Sequence, residues 1–106
     1  MGSLNEKRLE ELESRGFRHT TVGEWLDLSS AQVEMIEVRV ALAMTLRRLR
    51  ESRKMTQVDL ARLLGTSQPR VSKMETGDPS VTIDLLIRAL LALGLSRSRI
   101  AKAIAA

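Results

Sequence analysis

The sequence predicts an all-α fold of five helices preceded by an N-terminal helical arm, and three observations predict it. Residues 56–75 read as two short helices joined by a tight turn, which is helix-turn-helix geometry. A long segment with apolar residues at helical spacing precedes this pair. Two further apolar segments follow it, each opened by a capping hydroxyl residue, Thr82 and Ser96.

In chain order, residues 4–15 hold few apolar side chains. Glu6, Glu10 and Glu13 stand near Lys7 and Arg8, which leaves this segment open between a turn or two of helix and disorder. Phe17, His19, Val22, Trp25, Leu26 and Leu28 follow, and they include both aromatic residues of the chain. A short helix over about residues 22–26, capped by Thr20 or Thr21, is expected there. His19 has no cysteine or second histidine to share a metal with, so it reads as a loop or partly packed side chain. Residues 1–29 are thus expected to form an arm, partly disordered with one short helix, and residues 30–106 the main domain.

Ser29 or Ser30 is expected to cap the long helix, with Gln32 placed for a capping box, and the helix should reach about Arg53. It carries two apolar stripes, one through Met35, Val38, Leu42, Leu46 and Leu49, the other through Val33, Ile36, Val40 and Met44. Two stripes imply two packing partners. A small core uses one, so the second is expected to meet the arm through Phe17 and Trp25, or another subunit.

Thr56 and Asp59 resemble a capping box for the next helix, in which Val58, Leu60, Ala61, Leu63 and Leu64 supply the apolar residues and Ala61 is small enough for a close crossing. Gly65 can take the left-handed conformation that ends a helix, so the chain turns at Gly65, Thr66 and Ser67. Ser67 caps the second helix of the pair, Pro69 falls in its first turn where a missing amide hydrogen costs little, and Val71 and Met74 face inward. After a loop punctuated by Gly77 and Pro79, Thr82 caps a nearly all-apolar helix over residues 83–93 that Gly94 stops. Ser96 caps the last helix, with Ile100, Ala103 and Ile104 on one side.

Composition excludes several classes. The chain has no cysteine, hence no disulfide, thiolate metal site or thiol nucleophile, which suits a cytoplasmic protein. Its start lacks the apolar core of a signal peptide, and the longest apolar run, residues 81–95, is too short for a bilayer and carries Asp84 and Arg88. No set of acid, base, nucleophile or metal ligands is readable, so no enzymatic activity, cofactor or metal is expected. The formal net charge of +4 is unevenly placed. Acids outnumber bases up to Ser30, whereas Arg39, Arg47, Arg48, Arg50, Arg53 and Lys54 lead into the helix pair. Such a basic footprint beside a reading helix is what phosphate binding requires.

The outward residues of the second helix are Gln68, Pro69, Arg70, Ser72 and Lys73. Glutamine can bond an adenine edge through two atoms, arginine or lysine can bond guanine, and an α-helix fits the major groove of B-form DNA. The pattern of Thr56-Gln57, Leu60-Ala61, Gly65, Ser67-Gln68, Val71-Ser72, Glu75-Thr76-Gly77 and Pro79-Ser80 resembles the Cro/repressor-type (XRE) family of helix-turn-helix DNA-binding domains, over roughly half the chain. The resemblance implies a Cro/repressor-like domain in which Gln57 and Ser67 contact phosphates, while Gln68, Pro69, Arg70 and Lys73 lie against base edges. Thr66, Ser72, Arg47, Arg50 and Arg53 complete the expected phosphate set. Pro69 departs from the polar residue the family often has there and offers only apolar contact, as to a thymine methyl.

The reading that follows is a sequence-specific repressor that binds a duplex operator as a homodimer, with Leu91, Leu95, Ile100 and Ile104 as the dimer contact. A helical protein-interaction module that does not use DNA is the alternative from another class. The segment from Thr21 through Ser29, with Glu37, Val38, Arg39, Ala41, Leu42 and Ala43 beyond it, also resembles antitoxin-like members of the family. That resemblance implies a toxin encoded alongside as a further partner.

Overall fold

The computed structural model describes the backbone of residues 21–106 and the side chains of residues 29–106. These residues form five α-helices and no strand: α1 (Thr21–Ser52), α2 (Gln57–Leu64), α3 (Gln68–Thr76), α4 (Ile83–Ala92) and α5 (Arg97–Ala105). The expected all-α, helix-turn-helix class is what they build.

Each short helix begins where a hydroxyl side chain satisfies an amide three residues on. Thr56 accepts from the Asp59 amide at 3.0 Å while the Asp59 carboxylate accepts from the Thr56 amide at 2.9 Å, a complete capping box. Those bonds hold the Asp59 pKa below its ordinary value, the backbone amide of Thr56 being the larger cause. Ser67, Thr82 and Ser96 cap α3, α4 and α5 through the amides of Arg70, Leu85 and Arg99.

Gly65 (φ +68°) and Gly77 (φ +69°) close α2 and α3 in the left-handed region. At both ends the next amide reaches back, Thr66 to the Ala61 carbonyl at 2.9 Å and Asp78 to that of Lys73 at 3.1 Å. The two glycines differ in surroundings. A Cβ at Gly65 meets nothing within 4 Å, whereas one at Gly77 meets Val40 Cγ2 at 3.4 Å and Ala43 Cβ at 3.8 Å. Alanine should therefore cost about 1–2 kcal/mol at either site from backbone strain. Leucine should cost much more at Gly77 than at Gly65, and urea unfolding of the four variants reads the difference.

In α1 the structure departs from the expected cap. One helix runs on from Thr21, so Ser29 and Ser30 lie inside it rather than at its start. Serine caps only where the chain before it is non-helical, and the stretch between Thr21 and Ser29 contains no proline to end a helix. Residues 1–20, with Phe17 and His19, and the side chain of Trp25 lie outside the described residues, as does the expected packing of that arm.

Within the compact unit Ile36–Ala106, the core joins all five helices: Leu42 and Leu46 of α1, Leu60 and Ala61 of α2, Val71 and Met74 of α3, Leu86, Ala89 and Leu90 of α4, and Ile100 of α5, with Val81 and Leu93. Burying each leucine contributes about 1.5–3 kcal/mol relative to leaving it exposed. The first α1 stripe supplies this core, except Met35, which is exposed. The second stripe, Val33, Ile36, Val40 and Met44, remains exposed. In α2 only Leu60, Ala61 and Leu64 turn inward, because they share one helical face with Gln57, whereas Val58 and Leu63 fall on its flanks and are exposed.

Ile100 corrects an expectation. Proposed as a dimer contact, it is only 6% exposed and belongs to the domain's own core, since it is the side chain with which α5 docks. Leu91 and Ile104 are exposed and Leu95 is half-buried.

Candidate nucleic-acid interface

Helix α3 divides cleanly around its axis. Val71, Met74 and Glu75 are buried; Gln68, Pro69, Arg70, Lys73 and Thr76 are exposed; Ser72 is half-buried. At about 100° per residue, Pro69, Lys73 and Thr76 stand near the middle of the outward face. Gln68 and Arg70 fall on opposite flanks of it. Gln68 turns toward α2, where its Nε2 donates to Gln57 Oε1 at 2.7 Å. Arg70 turns toward α4 and lines an open groove of about 320 Å³ with Leu63, Met74, Leu85 and Arg88. The four expected base readers therefore share one helix but not one face.

Behind Gln68 a hydrogen-bond chain leads inward. Gln57 Nε2 donates to Glu75 Oε1 at 3.2 Å, and Glu75 in turn accepts from Arg50, Nε to Oε2 at 2.5 Å and Nη2 to Oε1 at 3.0 Å. Arg50 Nη1 donates to the Met55 carbonyl at 2.8 Å. The Glu75 side chain is 2% exposed and that of Arg50 12%. The hydrogen bonding of Arg50 to the Glu75 carboxylate raises the Arg50 pKa above its ordinary value, against the opposing effect of burial. An ionised carboxylate this deep is tolerated because a planar guanidinium meets both its oxygens.

Arg50 is thus the second correction. Expected at phosphate, its guanidinium is spent inside the domain, because Arg50 continues the buried spacing Leu42, Leu46, Arg50 along α1. Arg47 and Arg53 stay exposed. Arg47 makes a loose 3.7 Å pair with Glu51, and Arg53 reaches toward the α4–α5 turn, its Nη2 4.0 Å from where a Cβ on Gly94 would lie. Of the remaining expected phosphate residues, Gln57 at the start of α2, Thr66 in the α2–α3 turn and Ser72 in α3 are half-buried, and Ser67 at the cap of α3 is exposed. Sequence reading missed Glu75 as the group that holds Gln57 in place. Its signal was position, since Glu75 shares the inward face of α3 with Val71 four residues earlier.

Gln68 keeps hydrogen-bonding capacity to spare. Its amide spends one hydrogen on Gln57, leaving one hydrogen and the carbonyl oxygen, which is the donor and acceptor pair that adenine N7 and N6 require. The class this defines is a helix-turn-helix DNA-binding protein. The family described as "Helix-turn-helix domain" matches residues 41–103, more than half of the chain, and the chain belongs to that family. No curated protein matches it. Among the described residues no helix is long and apolar enough to cross a membrane.

Proposed function

We propose that this protein is a cytoplasmic, sequence-specific transcriptional repressor of the Cro/repressor (XRE) type, binding a pseudo-palindromic operator as a two-fold homodimer. The observation that carries the reading is Gln68 held at the start of α3 by Gln57, beside the exposed Pro69 and Lys73. A pre-positioned glutamine loses less freedom on meeting a base than a mobile one. Gln68, Pro69, Lys73 and, from the α4 flank, Arg70 read base edges, while Gln57, Thr66, Ser67, Ser72, Arg47 and Arg53 meet phosphates. One short helix reads few base pairs, so a dimer spacing two such helices about 34 Å apart multiplies specificity. Leu91 and Ile104, 47% and 40% exposed, with Leu95 between them in the chain, form the dimer contact.

Selection from a randomised duplex pool, followed by gel shift and sedimentation, tests this. The expected result is a two-fold-symmetric site with half-sites about one helical turn, roughly 34 Å, apart, bound by a dimer. Recovery of no preferred sequence sinks the reading.

A second reading, an antitoxin that represses its own operon, is favoured by the exposed apolar residues Ile36, Val40 and Met44 of α1, which the DNA-reading apparatus does not use. A small toxin encoded next to this gene, co-purifying with the protein and lost on Ile36→Asp, is its expected signature.

A further inference from the structure

The reading helix is mounted on α1 at two points, and one of them lies ahead of the matched family region. The inner mount is the Arg50–Glu75 pair near the middle of the domain. The outer one involves the loop that leaves the C-terminal end of α3. Arg39 Nε donates to the Val81 carbonyl at 3.1 Å, and Gly77 sits against Val40, whose Cα is 3.5 Å from the position of a Cβ there. The loop is hydrogen-bonded to itself between these contacts. Asp78 accepts from the Ser80 amide at 2.8 Å and from its hydroxyl at 2.6 Å, and the Val81 amide donates to the Asp78 carbonyl at 2.9 Å. Val81 itself is 3% exposed and part of the core. A pull at Val81 is therefore transmitted back to Gly77 and the last turn of α3.

Arg39 and Val40 precede residue 41, where the family match begins. Along α1, Arg39 and Arg50 stand about 16 Å apart at 1.5 Å per residue. On α3 the Arg50 anchor lies at Glu75, in the last turn, and reaches the first turn through Gln57 and Gln68, while the Arg39 anchor acts on the loop beyond Gly77, so the two together constrain the tilt of α3 as well as its position. Arg50 acts through Glu75 and Gln57 on the end carrying Gln68, and Arg39 acts through the loop on the end carrying Lys73 and Thr76.

We infer that Arg39 is a positioning residue for DNA reading: the part of α1 ahead of the matched region sets the angle of the recognition helix by holding the Val81 carbonyl. This deepens the proposed function and rests on it for its DNA part, while the anchor itself is measurable without DNA.

The test uses the full chain with Arg39→Ala, Arg39→Lys and, as a control, Arg47→Ala. In the free protein, amide exchange at Val81 and Asp78 should quicken about three- to tenfold in Arg39→Ala, the range a hydrogen bond of ordinary net worth supports, with Leu46 unchanged. Lysine, which can still donate to the carbonyl, should restore much of the protection. On the selected operator carrying single base changes, Arg39→Ala should lose discrimination at positions opposite Lys73 and keep it at those opposite Gln68, with the salt slope unchanged. Arg47→Ala should weaken all sequences alike and lower that slope by about one unit. Unaltered exchange in Arg39→Ala overturns the anchor. A uniform loss with a flattened slope overturns the positioning role and makes Arg39 a direct phosphate contact. If the unmodified protein shows no sequence preference, the proposed function fails, and the exchange measurement still decides the anchor.

Discussion

Replacing Arg50 with alanine is expected to cost about 3–5 kcal/mol of folding stability, the penalty for leaving one member of a buried ion pair uncompensated. The carboxylate of Glu75, 2% exposed, would keep only the amide of Gln57. For a domain of this size each kcal/mol shifts Tm by about 4–8 °C, so a fall of more than about 12 °C is expected in calorimetry. Replacing both partners with apolar residues of similar bulk, Arg50→Met with Glu75→Leu, should recover most of that stability, because the burial cost vanishes along with the attraction. It should not recover DNA binding. Without Glu75 the bonded pair Gln57–Gln68 loses its tie to the buried side of α3, so Gln68 is no longer fixed in its proposed reading position. The salt dependence of the double variant separates this account from a phosphate role for Arg50, which would lower the slope by about one unit. A single variant as stable as the parent would show that the pair is not the keystone of α1 and α3.

The parts of this fold legible in the sequence are those decided within a few residues. The caps at Thr56, Ser67, Thr82 and Ser96 each depend on an amide three positions on, and Gly65 and Gly77 end helices by their own backbone freedom. What the sequence hid was the choice among chemically equal residues. Six basic residues from Arg39 to Lys54 lead into α2, and nothing in their type tells which one turns inward. Only the spacing from Leu42 and Leu46 marks Arg50, just as spacing from Val71 marks Glu75. The two meet across 25 positions of chain, a pairing that local pattern does not encode. Ile100 was hidden for a related reason. An apolar residue on a short amphipathic helix looks the same whether it serves its own core or a second subunit. The start of α1 is not legible locally because serine is compatible with both a cap and a helix interior, and which it takes depends on the chain before it.

Adjacent residues of α3 should give opposite results, which makes the inside and outside of the recognition helix separable by experiment. Met74 is 1% exposed and packs in the core, so Met74→Ala is expected to destabilise the domain by about 2–5 kcal/mol, the range for emptying a buried side-chain volume. The high end applies if the neighbouring side chains do not close over the space, and the groove already open beside Met74, between Leu85 and Arg70, gives them little to close with. Lys73 stands on the outward face and is exposed, so Lys73→Ala should leave stability within about 0.5 kcal/mol of the parent. Its effect belongs to DNA. A base-edge contact carries about 1–3 kcal/mol of discrimination, so Lys73→Ala should lose roughly that on the selected operator and much less on random duplex. Met74→Ala, assayed at a temperature where it remains folded, should retain the preference for the operator, since it changes no group on the reading face. Thermal unfolding and gel shift on the two variants suffice. A Lys73→Ala loss equal on operator and random DNA would move Lys73 from the bases to the phosphates, and a stable Met74→Ala would mean that α3 is not seated on the core through Met74.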